Sequence, residues 1–204
     1  MSLKNIITAA VFAVIGFIVM LGAGMAVTVF GTIGAFYLNV SFATILGAPI
    51  YVVLLKKVPA HGVAGIFYLV PGIVYLLMGL APMTVVYIGA AILSELILLG
   101  EGIHDNKRIG ISFIVSTLFE SLHGMFFVLY YGAAGLVNQF PAMFTAELAQ
   151  ITANFYFNPL NVLIVIAIQI VASLLGVALA FFIDTKYFSG KRLQSALDEQ
   201  VPSE

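Results

Sequence analysis

Residues 159–192 read PLNVLIVIAIQIVASLLGVALAFFIDTKYFSGKR. From Pro159 to Ile183 the run holds no charged residue, and Asn161, Gln169 and Ser173 are its only strongly polar side chains. As a helix, this length covers about 37 Å, more than the roughly 30 Å of a bilayer's hydrocarbon core. Lys186, Lys191 and Arg192 follow directly, so the stretch reads as a membrane-crossing helix that ends on a basic surface. Five more apolar runs precede it, at Ile6 to Phe30, Ile33 to Leu55, Val63 to Leu80, Met83 to Leu99 and Ile109 to Tyr131. The first two nearly merge, with Gly31-Thr32-Ile33-Gly34 as the only turn signal, and Ala81-Pro82 marks the boundary after the third.

Composition agrees with this reading. Of 204 residues, 62% are hydrophobic and 8% charged, whereas soluble domains run at about 45–50% and about 25%. The chain is expected to be an all-α integral membrane protein over 1–204, one domain with a polar cytoplasmic tail at 193–204. The start, Met1 to Asn5 before a long apolar run, is expected to be an uncleaved helix rather than a signal peptide, whose apolar core is shorter. Cysteine is absent, which excludes disulfides, thiolate metal sites and cysteine nucleophiles. A net charge of −1 argues against nucleic acid as a partner.

The basic residues set the orientation. Lys4 precedes the first run, Lys56 and Lys57 follow the second, Lys107 and Arg108 follow the fourth, and Lys186, Lys191 and Arg192 follow the sixth. Six crossings place all eight on one face and none on the other, and the positive-inside rule makes that face cytoplasmic, with both termini there. The connection from Gly132 to Asn158 is then external. It carries Phe144, Leu148, Ile151 and Phe155 at helical spacing, with Thr145, Glu147, Gln150 and Asn154 opposite. An amphipathic outer helix is predicted, serving as a lid or as an interfacial anchor.

Ionisable groups within a membrane helix cost about 2.5–3.5 kcal/mol on insertion scales, so each needs a reason. Glu120 and His123 are three apart in the fifth run, and Ser116, Phe127 and Tyr130 extend their face. This face either floors a cavity open to the outside or carries a Glu–His pair that satisfies itself. In the fourth run Thr84, Tyr87, Ala91 and Ser94 form a polar stripe, with Tyr87 the pocket candidate and Glu95 a structural or gating group. Tyr68, Gly72, Tyr75 and Gly79 share a face of the third run, as lining or as packing, with packing expected for Tyr68. Asn154, Asn158, Asn161 and Gln169 supply amides suited to a neutral polar solute. Ala9, Ala13 and Gly16 give the first helix a small-residue face that another helix could approach closely. His61 and His104 fall in loops away from His123, so no metal site is expected. No catalytic or phosphate-binding motif is present, and nothing resembles a channel's charged ring.

These features together resemble a known family. About 200 residues, six helices, Ala9-x-x-x-Ala13 in the first of them and a long segment before the last are similar to the S component of an energy-coupling factor (ECF) transporter. Lys4-Asn5-Ile6-Ile7-Thr8-Ala9-Ala10-Val11-Phe12-Ala13 and the Lys107-Arg108 turn most resemble the group called MptD, or Trep_Strep. The resemblance implies a subunit that binds a vitamin or similar micronutrient from outside and associates with a transmembrane coupling protein (EcfT-like) and two ATPases (EcfA-like). ATP would be used by those partners, and no cofactor by this chain. It implies docking at Ala9 and Ala13, and a pocket from the outer halves of the later helices, where this sequence offers Tyr87, Glu120, His123, Phe127, Tyr130, Asn154, Asn158 and Asn161. The chain lacks the Trp that stacks on flat rings in some members, so the resemblance names no vitamin. Two other classes compete: an intramembrane enzyme using Glu120 and His123 as acid and base, and a structural membrane protein without a small ligand.

Overall fold

The computed structural model describes residues 1–188, and its regular elements are all helical. Lys191, Arg192 and the expected tail at 193–204 lie outside the described residues. Helix α1, Leu3–Ala26, starts where the Ser2 side chain accepts from the Asn5 amide. It tightens into a 3-10 turn at Val27–Phe30 and stops at Gly31, whose φ of 64° suits glycine. A single turn and a π-helical turn, Gly34–Leu38, lead into α2, Asn39–Lys57. The weak Gly31–Gly34 signal was therefore a true break. Helix α3 is Val63–Leu77 and α4 is Ala81–Ile97, each ending short of the expected Leu80 and Leu99. The expected single helix Ile109 to Tyr131 is two, α5 (Asn106–Ser121) and α6 (His123–Gln139), interrupted at Leu122, and α6 kinks again at Gly132. Helix α7, Ala146–Phe157, is capped by Thr145, and α8, Pro159–Ile183, by Asn158.

Among the described residues, four segments are long and apolar enough to cross a membrane: Leu3–Phe30, Gly34–Lys57, Asn106–Gln139 and Pro159–Phe188. Helices α3 and α4 are shorter, at 15 and 17 residues, and pack on each other as a hairpin. Six helices close a ring in the order α1, α2, α8, α5, α4, α3 and back to α1. Glycines set the closest approaches. A side chain at Gly16 would run into the Phe67 ring, and one at Gly176 would meet the α2 backbone at Ile45 and Thr44.

One end of the ring gathers all six described Lys and Arg residues. Lys56 pairs with Asp184 at 3.0 Å, tying the end of α2 to the end of α8. The Arg108 Nε donates to the Ile97 carbonyl at 2.7 Å, joining the start of α5 to the end of α4. Glu95 accepts from the Gly62 and Gly65 amides at 2.9 and 2.7 Å, so it caps the first turn of α3. Met1 lies beside Gly62, which brings Lys4 to the same end. Of the two roles open to Glu95 in the sequence, structural and gating, the geometry shows the structural one. Replacing Glu95 by Ala is expected to leave two amides unpaired and cost about 1–3 kcal/mol. Thermal unfolding in detergent reads this, and an unchanged midpoint would show that the cap contributes nothing.

The opposite end is aromatic. Phe36, from the α1–α2 connection, stacks on Phe155 of α7 at 4.6 Å, and Tyr37 meets the same ring edge-on at 4.9 Å. The predicted amphipathic helix exists as α7, but its seating differs from expectation. Ala149, Thr152, Ala153 and Phe155 are buried, while Leu148 and Ile151 stay 40% and 42% exposed. The small Ala149 and Ala153 allow close approach to Val128 and Leu136 of α6, which turns the bulkier residues outward.

Candidate functional site

In the half of the ring away from the basic end lies a cavity of about 80 Å³. Its walls are Phe17, Met20, Leu21 and Met25 of α1, Asn39, Val40 and Ala43 of α2, Phe67, Tyr68, Pro71 and Tyr75 of α3, and Met83 and Tyr87 of α4. Glu120 and His123 reach it from either side of the α5–α6 break. Gly72 lets α4 come close, since a side chain there would press on the Tyr87 Cβ.

The polar groups are few and closely arranged. The Tyr87 hydroxyl donates to Glu120 Oε1 at 2.6 Å, and its ring stacks on Tyr75 with centroids 5.4 Å apart. Phe17 meets Tyr75 edge-on at 5.5 Å. Glu120 Oε2 and the Tyr68 hydroxyl are buried without a hydrogen-bond partner. Buried polar atoms are almost always satisfied, so these two, on residues that line one cavity, are the unusual feature of the site. Asn39 donates from Nδ2 to the Gly24 carbonyl at 3.2 Å and bridges α1 to α2.

Of the two readings of this face, the self-satisfying Glu120–His123 side-chain pair does not form. The helix breaks at Leu122, so His123 begins α6 and its Nδ1 lies 3.1 Å from the Glu120 carbonyl oxygen, while the carboxylate turns to Tyr87. Of the eight expected pocket residues, Tyr87, Glu120 and His123 line the cavity together. Phe127 packs with Tyr131 and Phe140. Tyr130 is 71% exposed. Asn154 accepts from Gln150 on the outer face of α7, Asn158 caps α8, and Asn161 joins the Tyr37 hydroxyl to the Phe155 carbonyl. None of these five lines the cavity. Gln169, deeper in α8, bonds to Ser41, Thr44 and Ser173 and is fully satisfied in a polar knot between α2 and α8.

Ala9, Ala13 and Gly16 are corrected from surface to interior. All three are buried, and Gly16 faces Phe67 and Ile50, so the small face of α1 receives α2 and α3 of its own chain. Tyr68 packs as expected, with its ring against Tyr51 and Phe67, and it also lines the cavity. Its shared face with Gly72 and Tyr75 was the signal that could have placed it there. No group of three metal-ligating side chains occurs among the described residues.

Comparison with curated proteins and with solved structures gave no match. Residues 3–189 match the family described as "Hypothetical bacterial integral membrane protein (Trep_Strep)", so the chain belongs to the Trep_Strep family and is a multi-pass protein of the bacterial cell membrane.

Proposed function

We propose that the protein is the substrate-binding subunit of an ECF-type importer, capturing a vitamin or similar micronutrient from outside for ATP-driven uptake by partner subunits. The observation that carries this reading is the cavity with two unpartnered polar atoms in the half of the ring away from the basic end. With the basic end cytoplasmic, the cavity serves the outside, as capture requires. In this reading the chain crosses the membrane six times, keeps both termini in the cytoplasm and works with a transmembrane coupling protein and two ATPases. Coupling contacts then come from residues other than Ala9, Ala13 and Gly16. The geometry favours binding over acid–base chemistry, because the Glu120 carboxylate bonds to a tyrosine and the His123 Nδ1 to a backbone carbonyl.

Two measurements test this. Solvent extracts of the purified protein are expected to contain a small molecule that is absent from extracts of a folded Glu120→Ala variant. Identical extracts would remove the solute role from the cavity. Single cysteines beside Lys57 and Arg108 are expected to be shielded from an impermeant thiol reagent in intact cells, while one at Gln150 reacts. Labelling beside Arg108 from outside would overturn the six-crossing arrangement.

A further inference from the structure

The charge of the cavity narrows what it can hold. Its lining contains one carboxylate, Glu120, and no Lys or Arg, and all six described cations sit at the other end of the ring. An anionic solute would face Glu120 with nothing to offset the repulsion in a medium of low dielectric. A buried carboxylate is itself costly unless paired, and the Tyr87 hydroxyl satisfies only one of its two oxygens. In the ionised form Oε2 can only accept, so the group complementary to a carboxylate at this place is a donor.

Two further features point the same way. The Glu120 carbonyl is an acceptor, so the His123 contact at 3.1 Å requires a proton on Nδ1, and in the neutral ring that leaves Nε2 as a second acceptor at the cavity. The stacked Tyr75 and Tyr87 rings, with Phe17 edge-on to Tyr75, offer π density to a positive charge. Size sets the last bound. A water needs about 10–15 Å³ of cavity volume, so the roughly 80 Å³ available is on the scale of a single small ring.

We propose that the solute is a small organic cation bearing N–H donors, held in an ion pair by Glu120 and enclosed by tyrosine and phenylalanine rings. This inference rests on the cavity being the solute site proposed above. The test uses three probes of one shape and different charge: benzamidine as the cation, benzamide as its neutral counterpart and benzoate as the anion. Their affinities for the full-length protein in detergent are measured by calorimetry. Benzamidine is expected to bind about tenfold or more tighter than benzamide, since a charge-assisted hydrogen bond is the stronger kind, and benzoate is expected not to bind. Glu120→Gln keeps an acceptor for Tyr87 and is expected to bring benzamidine down to the level of benzamide. The wild-type series decides the matter by itself if that variant does not fold. Benzamide or benzoate binding as tightly as benzamidine overturns the cation preference and leaves the solute cavity standing. Binding of none of the three overturns both the preference and the cavity's role in capture.

Discussion

Ala13→Trp, and equally Ala9→Trp, is expected to abolish recovery of folded protein. Both alanines have no exposed surface and lie where α1 meets α2 and α3. An indole there has no space, and overpacking by far smaller groups already costs about 1–3 kcal/mol. A whole indole adds several times that volume at a site with no exposed surface, so its cost is expected to reach a total stability of only about 5–15 kcal/mol and to lose the native state in detergent. Val11 and Val14 are exposed on the same helix, so Val11→Trp or Val14→Trp supplies the control and is expected to melt like wild type. An Ala13→Trp protein with wild-type melting and a defect only in uptake would return the small face of α1 to the surface, as a docking site for the coupling protein.

Gly176→Leu is expected to open the α2–α8 seam. A Cβ at this position would stand 3.1 Å from the Ile45 Cα and 3.2 Å from the Thr44 carbonyl oxygen, and backbone atoms cannot swing aside as a flexible side chain can. Separating the helices also pulls apart the bond that Ser41 donates to Gln169 and the one that Gln169 donates to Thr44, each worth about 0.6 kcal/mol and at most about 1.7 kcal/mol in a membrane interior. The sum is expected to reach about 3 kcal/mol or more. Gly22, with open space around its Cβ position, is the matched control. Equal melting of Gly176→Leu and Gly22→Leu would mean that the seam is looser than the structure places it.

Hydropathy was enough to find the long spans, because Ile, Leu, Val and Phe in runs of about 20 leave few alternatives. It could not show that the fifth run breaks at Leu122. Leu122 is an ordinary helix former, and the two pieces differ in their main partners: α5 packs on α4, α8 and α2, and α6 chiefly on α7. That one unseen break changed the partner of Glu120 from His123 to Tyr87. The same limit explains α7. The pattern of large apolar residues chose Phe155, which is buried, together with Leu148 and Ile151, which are not, whereas Ala149 and Ala153 are the residues small enough to admit another helix. Small residues in α1 were read correctly as a contact face, but sequence alone does not say whether the partner is another protein or the same chain. Tyr87, Glu120 and His123 were legible because polar groups in an apolar helix demand a reason. Asn154, Asn158 and Asn161 were not, because helix ends and loops employ amides in the same way.

The brevity of α3 and α4 has a mechanical outcome for the lipid around them. At 1.5 Å per residue their 15 and 17 residues extend about 22 and about 26 Å, several ångströms short of a hydrocarbon core of about 30 Å. On the six-crossing reading, the bilayer is expected to thin against this hairpin, at a fraction of a kcal/mol per ångström of mismatch. Since α3 and α4 also form one wall of the cavity, the thinning draws the headgroup layer down beside it. A polar molecule approaching on that flank crosses less oil, and the protein is expected to be at ease in bilayers of shorter-chain lipids.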